Sequence, residues 1–278
     1  RGGRRKSAKI INVIRRDKKQ YVGIIEKSRD FAFLLPTDHR IHVDFFIPLK
    51  LLNGAEQGDK VIVEIEDWEE SEEKPVARVA KVLGKPGLND VEMHAILAEY
   101  GLPYEFPEEI LHDADRISKE ITKDEIAKRR DFRDILTFTI DPEDAKDFDD
   151  ALSFERLENG NVEVGIHIAD VSHYLQPKTL LDDEAYERAT SVYLVDRVVP
   201  MLPEVLSNEL CSLRPHEEKL CFSAVFELDD QAQIKKEWFG RTVIYSDRRF
   251  TYEEAQAVIE SGKGDHSEAI LELDRLAK

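Results

Sequence analysis

The chain reads as an α+β protein in two parts, a small β-barrel and a mixed α+β domain joined by a helical connector. Three observations carry this. Short apolar runs recur through residues 9–85, broken at Asp17, Pro36-Thr37-Asp38, Asn53-Gly54 and Gly58-Asp59. Residues 86–129 change to helical patterns with little Gly or Ser. From Arg130 to Lys278, strand-like runs alternate with helix-like ones.

Taken in order, residues 1–8 form a basic arm. Strands are expected at Lys9–Ile14, Tyr21–Glu26, Asp30–Leu35, Asp44–Ile47, Lys60–Glu66 and Val76–Leu83. Short strands at this spacing suggest an oligonucleotide-binding barrel of cold-shock type over 9–85. Tyr21, Phe31, Phe33, Phe45 and Phe46 are candidate base-stacking rings, and Phe31 and Phe33 share a face. Glu64–Glu73 holds seven acids and no base, which fits a solvated hairpin tip. The connector is expected to contain helices at Leu88–Tyr100, ended by Gly101, and at Pro107–Lys119 and Thr122–Arg130. Further helices are expected at Leu180–Ala189, from Pro203 through Leu213, at Thr251–Glu260 with Thr251 as N-cap, and at Ser267–Lys278. Ser191–Val195 reads as a strand, and Leu220–Leu228 pairs with Gln233–Tyr245. The turn at Glu158-Asn159-Gly160-Asn161 returns the chain into Val162–Ile168. There Val162, Val164, Ile166 and Ile168 share one face and His167 takes the other, where it can line a site. His167 and His173 otherwise read as hydrogen-bonded structural residues.

Composition narrows the class. With 41% hydrophobic and 35% charged residues, the chain is expected to be globular. No apolar run approaches the ~20 residues of a membrane span, so no membrane partner is expected. The chain opens on Arg1 without a secretory signal, which reads as a piece or processed form of an intracellular protein. Cys211 and Cys221 read as reduced, partly buried thiols. The net charge of −18 argues against nucleic acid, but residues 1–20 carry nine Lys/Arg against Asp17 alone. Local field steers a polyanion more than the sum does.

The most informative stretch is Asp141-Pro142-Glu143-Asp144-Ala145-Lys146-Asp147-Phe148-Asp149-Asp150, six acids and one lysine between two strand-like runs. Crowded carboxylates repel, so some must hold protons or a cation must neutralise them. In extended backbone Asp147 and Asp149 share a face and Phe148 points inward. Such hard oxygen donors suit Mg²⁺ or Mn²⁺ and phosphoryl chemistry. An EF-hand loop fails on spacing: counting from Asp147, the position that demands Gly is Leu152, and counting from Asp141 it is Lys146.

Thr139-Ile140-Asp141-Pro142-Glu143-Asp144-Ala145-Lys146-Asp147-Phe148-Asp149-Asp150-Ala151 closely resembles the signature of the ribonuclease II / ribonuclease R family. Ile166-His167-Ile168-Ala169-Asp170-Val171-Ser172-His173-Tyr174 and Val199-Pro200-Met201-Leu202-Pro203-Glu204-Val205-Leu206-Ser207-Asn208 match it further on, in the same order. The resemblance implies a hydrolytic 3′-to-5′ exoribonuclease that digests single-stranded RNA processively to nucleoside 5′-monophosphates in RNA decay and quality control. It implies an RNB-type catalytic domain from residue 130, of which 130–278 would be the N-terminal portion. It implies Asp141, Asp147, Asp149 and Asp150 as the acids that hold Mg²⁺, with Mn²⁺ as an alternative. Asp149 would be the acid most needed for chemistry, and Lys146 would soften the repulsion. Tyr193 would stack on the terminal base, with Phe31 and Phe33 as further RNA contacts. A monomer in the cytoplasm, acting at RNA 3′ ends, is implied as well. Family members continue past Lys278 into an arginine-bearing segment and an S1-type domain, so the chain is expected to be an incomplete portion of the enzyme. The competing reading is a non-catalytic RNA-binding protein that retains the barrel. Full retention of the four aspartates favours the enzyme, since a binder gains by losing negative charge near phosphate.

Overall fold

Alternating apolar residues in the N-terminal part of the chain close a five-stranded barrel. The computed structural model describes residues 20–67 and 74–278. The basic arm, the expected strand Lys9–Ile14 and the far end of the acidic run at 68–73 lie outside the described residues. The strands are β1 (Gln20–Lys27), β2 (Phe31–Pro36), β3 (Phe45–Pro48), β4 (Lys60–Asp67) and β5 (Val76–Gly84). They run in the order β1-β2-β3-β5-β4, with β4 closing on β1 and only β3–β5 parallel. Ile25, Leu34, Phe45, Ile47, Val61 and Val63 fill the interior. Closure is tight at Gly23, where a Cβ would strike the Leu35 carbonyl and the Leu34 side chain. Helix α1 (Asn89–Glu99) covers one side through Ala95 against Val22 and Ile62, and Lys60 Nζ meets Glu92 Oε2 at 2.6 Å. It ends as expected at Gly101, φ 69°, with Leu102 N donating to Leu97 O and Gly101 N to Ala98 O.

The second unit runs from Phe106 to Lys278, so the expected connector divides. Helix α1 belongs with the barrel, and α2 (Glu108–Asp115) and α3 (Lys123–Ile126) belong with the second unit. A seven-stranded sheet forms this unit's frame. Its strands are β6 (Arg130–Phe132), β7 (Thr137–Asp141), β8 (Asp150–Arg156), β9 (Val162–Ala169), β12 (Glu218–Leu228), β13 (Ile234–Tyr245) and β14 (Arg248–Thr251). The order is β14-β7-β8-β9-β12-β13-β6, antiparallel within and parallel at both edges. β10 (Val192–Tyr193) and β11 (Val198–Val199) make a separate hairpin, shorter than the expected strand.

Beyond β9 comes the short α4 (Val171–Tyr174), and one face of the sheet packs Phe132, Cys221, Val225 and Ile244, with Phe148 from the loop between β7 and β8, against Leu181 of α5 (Leu180–Arg188) and the segment 206–213. The other packs Phe154, Val162 and Val164 beneath α6 (Tyr252–Ser261) and α7 (Ser267–Ala277). Thr251 caps α6 in a reciprocal capping box with Glu254. The expected helix from Pro203 through Leu213 is instead a six-residue π-helical turn, Val205–Leu210. Its wide pitch, with Cys211 N donating to Leu206 O, drops Leu206, Leu210 and Leu213 into the core.

The face assignment along β9 holds, but burial does not follow it. Helices α6 and α7 cover Val162 and Val164, whereas Ile166 and Ile168 are 39% and 47% exposed beside exposed Phe222 and Phe239. His167 is fully buried. Its Nδ1 lies 2.7 Å from Ser223 Oγ, which lies 2.6 Å from Thr242 Oγ1, a polar rung across β9, β12 and β13. Gly165 makes room for it, since a Cβ there would strike Ser153 Oγ and His167 Nε2. His173 joins a different network, 3.6 Å from Glu125 beside the buried Arg129 guanidinium. Arg129 pairs with Glu125 and Asp170 at 2.8 Å each and donates to the carbonyls of Cys221 and Thr242. Removing one partner of such a buried pair costs about 3–5 kcal/mol. Cys211 and Cys221 are free and buried as expected; burial pushes the Cys211 thiol up to about 12 and the Cys221 thiol upward also.

Burial, then Arg130, holds the His167 imidazole down to about 4. The unfolded chain therefore takes up this proton first as pH falls from about 6.5. Stability present above pH 6.5 is expected to drop by roughly 3 kcal/mol as pH falls toward 4. Urea unfolding across that range, compared with His167→Gln, measures it; parallel curves for the two proteins would refute it.

Candidate functional site

The acidic loop is held from several sides. β7 delivers Asp141 at its end, paired with Thr251 of β14, and β8 begins at Asp150. From β14, Arg249 Nη2 donates to Glu143 O at 2.9 Å and also to Pro142 O. Phe148 is buried in the core, its ring 5.4 Å from the Arg249 guanidinium. Its N–H donates to Ser212 Oγ at 3.0 Å, and its carbonyl accepts from Leu213 N at 2.7 Å. Ser212 Oγ donates in turn to Lys146 O at 3.1 Å, and Ala169 N to Asp149 O at 3.0 Å. Phe148 is thus the inward residue that the period-2 reading requires.

The four aspartates occupy different environments. Asp141 is buried, and its Oδ2 has no hydrogen-bond partner among the described residues. Burial raises its carboxyl, with Asp150 and Asp147 adding to the effect and Thr139 and Arg249 opposing it. Asp149 keeps solvent access; partial desolvation raises its carboxyl, followed by the charges of Asp147, Asp150 and Asp141. Asp150 opens β8 opposite Ile168 and is exposed. Asp147 accepts a 2.6 Å hydrogen bond at Oδ2 from the Tyr193 hydroxyl. That bond first, then desolvation, pushes the phenol up to about 12, so it stays protonated.

Of the residues singled out in the sequence, Tyr193 reaches Asp147 directly and the charges of Asp147 and Asp150 bear on both Asp141 and Asp149, whereas Lys146 is not among the charges that act on Asp141 or Asp149. The cation acting on Asp141 is Arg249, which also clamps the loop backbone. Neither Arg249 nor Ser212 has a local signal. Each reaches the loop only through tertiary pairing, Arg249 from 106 residues away and Ser212 from 64.

Among the described residues, no group of three or more His, Cys, Asp or Glu side chains is arranged to hold a metal ion. Mg²⁺ commonly takes one or two carboxylates and completes its shell with waters and substrate phosphate. The orphaned Asp141 Oδ2 and the mutual repulsion fit that use better than a closed cage.

On the barrel, Phe31 and Phe33 sit side by side on β2, half-buried, with ring centroids 5.3 Å apart. Phe46 of β3 joins them at 5.8 and 6.0 Å, and Lys74 Nζ stands 4.1 Å over the Phe33 ring. Phe45, also a candidate ring, is core at 1% exposure, with Tyr21 packed on it at 4.6 Å. Odd and even positions of β3 face opposite ways, and of the two phenylalanines it is Phe46 that faces outward.

A cold-shock-type barrel followed by a mixed sheet with a pinned acidic loop defines the RNB class of protein. The family model described as RNB domain matches residues 129–278, and that described as cold shock domain matches 33–107. The chain belongs to the RNB-domain family. Ribonuclease R of Thermotoga maritima is 39% identical over 91% of this chain and 36% of its own length. Mycoplasma genitalium RNase R, solved in complex with double-stranded RNA, superposes with a TM-score of 0.86 at 25% identity, covering 97% of this chain and 48% of that one. Yeast Ssd1, described as a pseudonuclease, shares the fold with a TM-score of 0.73 at 21% identity, over 95% of this chain and 34% of that one. The chain spans about a third of the length of most of the curated relatives it matches.

Because the Asp149 carboxyl is raised in the fold, the folded state binds a proton that the unfolded state has already released, and stability falls as pH rises through that window. Without divalent cation at neutral pH, Asp149→Asn is expected to raise the melting temperature by about 1–3 °C. A scanning-calorimetry comparison in EDTA checks this; a lowered melting temperature would refute the repulsion.

Proposed function

We propose that this chain carries the hydrolytic centre of a 3′-to-5′ exoribonuclease acting on single-stranded RNA. The single observation behind this reading is the pinned acidic loop, whose carboxyls at Asp141 and Asp149 are raised by burial and by the charges of neighbouring aspartates inside an RNB-domain match. Asp141, Asp147, Asp149 and Asp150 would hold Mg²⁺, or Mn²⁺, by oxygen atoms alone. A bound divalent ion of this kind neutralises charge at phosphorus and makes an attacking water more acidic.

The chain's own residues would do the rest. Asp149 is open to solvent, so it would orient the water and take its proton at a carboxylate oxygen. Asp141 would present the orphaned Oδ2 from the protected end of β7. Tyr193, 64% exposed at the loop, offers a ring for the terminal base. Stacking is tolerant of sequence, which suits stepwise release of nucleoside 5′-monophosphates in RNA decay. Phe31, Phe33 and Phe46 offer a second stacking surface on the barrel, with Lys74 beside it for phosphate. Processive action as a monomer in the cytoplasm completes this reading.

A second reading, a non-catalytic RNA-binding protein that retains the barrel, rests on the outward surface of Phe31, Phe33 and Phe46. The Ssd1 likeness adds only that a pseudonuclease adopts this fold.

The two readings separate in a timed digest of labelled single-stranded RNA by the intact protein, with Mg²⁺ and with EDTA. Asp149→Asn is expected to abolish mononucleotide release by at least 100-fold while leaving RNA binding intact. Undiminished release would discard the catalytic assignment, and absence of any release from the wild type would favour the binder. Tyr193→Ala is expected to change the length of the limit product; an identical product ladder would remove the stacking role.

A further inference from the structure

Two elements meet at Asp147, and one of them is a hairpin otherwise distant in sequence from the acidic loop. The hairpin β10–β11 is anchored at its base, where Met201 N donates to Ser191 Oγ at 3.0 Å and Arg188 Nη1 to Pro200 O at 3.2 Å. Its turn closes through Leu194 N to Arg197 O at 2.8 Å. Between anchor and turn, Tyr193 reaches across 46 residues of sequence to put its hydroxyl 2.6 Å from Asp147 Oδ2.

The backbone on both sides of Asp147 is already fixed, since Lys146 O and Phe148 N are both bonded to Ser212 Oγ. What remains variable is the Asp147 side chain, and the phenol settles it. A carboxylate offers about four lone-pair positions. The phenol occupies one on Oδ2, which leaves Oδ1 without a hydrogen-bond donor among the described residues and spreads part of the negative charge onto a neutral donor. Without that donor, Asp147 would be pushed outward by the charges of Asp149 and its neighbours.

We propose that Tyr193 is a positioning residue for Asp147: its hydroxyl, separately from its ring, holds the carboxylate in the orientation that receives the divalent cation. This rests on the proposed metal-dependent reading of the site. The ring and the hydroxyl then serve different partners, the terminal base and the acid, so the RNA end and the cation are coupled through one side chain. Hydrogen-bond partners that orient a metal ligand are worth about 10–100-fold in metal affinity.

The test compares wild type, Tyr193→Phe, Tyr193→Ala and Asp147→Asn in the intact protein, with Mn²⁺ as the probe and free Mn²⁺ read by electron paramagnetic resonance. Tyr193 is exposed, and circular dichroism confirms that each variant folds. The expected result is Mn²⁺ binding about 10–100-fold weaker in Tyr193→Phe, with the wild-type limit-product length retained and kcat lowered more than KM is raised. Tyr193→Ala should lose both the affinity and the product length. Wild-type Mn²⁺ affinity in Tyr193→Phe, alongside weakened binding in Asp147→Asn, would overturn the positioning role and leave the metal reading standing. Undiminished Mn²⁺ binding in Asp147→Asn would overturn the metal reading itself, and this inference with it.

Discussion

Four carboxylates held close together repel one another, and the second unit of this protein is arranged to resist that repulsion. The resistance comes chiefly from Phe148. Its ring is buried in the core, and both its N–H and its carbonyl are bonded to the segment at Ser212 and Leu213. A loop whose backbone is fixed in this way cannot relieve the repulsion by moving as a whole. The raised carboxyls of Asp141 and Asp149 are the residual strain, expressed as a preference for the proton or a cation over bare charge.

The sheet supplies the supports from opposite directions in sequence. β7 and β14 lie parallel at one edge, so a late strand brings Arg249 to the start of the acidic loop. The π-helical turn delivers Ser212 to its end, and it does so because its wider pitch lets Leu206, Leu210 and Leu213 all enter the core. Parallel pairing of this kind requires a long excursion between the partners, and the excursion here contains the Tyr193 hairpin. Each of the loop's supports is therefore long-range, and local unfolding near residue 212 or 249 would release the acids.

Much of this was legible in the amino-acid sequence. The alternation of apolar residues located all five described barrel strands to within a residue or two, and Thr251 and Gly101 marked helix ends by capping chemistry alone. The acidic stretch was visible as a cluster because its residues are contiguous. What sequence could not give was anything that depends on which element lies against which. His167 was placed on the correct face, but which face was covered depended on the packing of α6 and α7. Phe45 and Phe46 look alike as letters, and only barrel closure decides that the first is core. Arg249 carried no local mark, since its partners are backbone carbonyls more than a hundred positions earlier.

Cys211 stands directly beside the serine that fastens the loop, and its thiol is both covered and reluctant to ionise. Alkylating reagents attack thiolates, so in the native protein this sulfur is nearly inert. Its rate of alkylation then becomes a clock for transient opening of the very segment that keeps the aspartates in place, readable in a mass spectrometer without any engineered label.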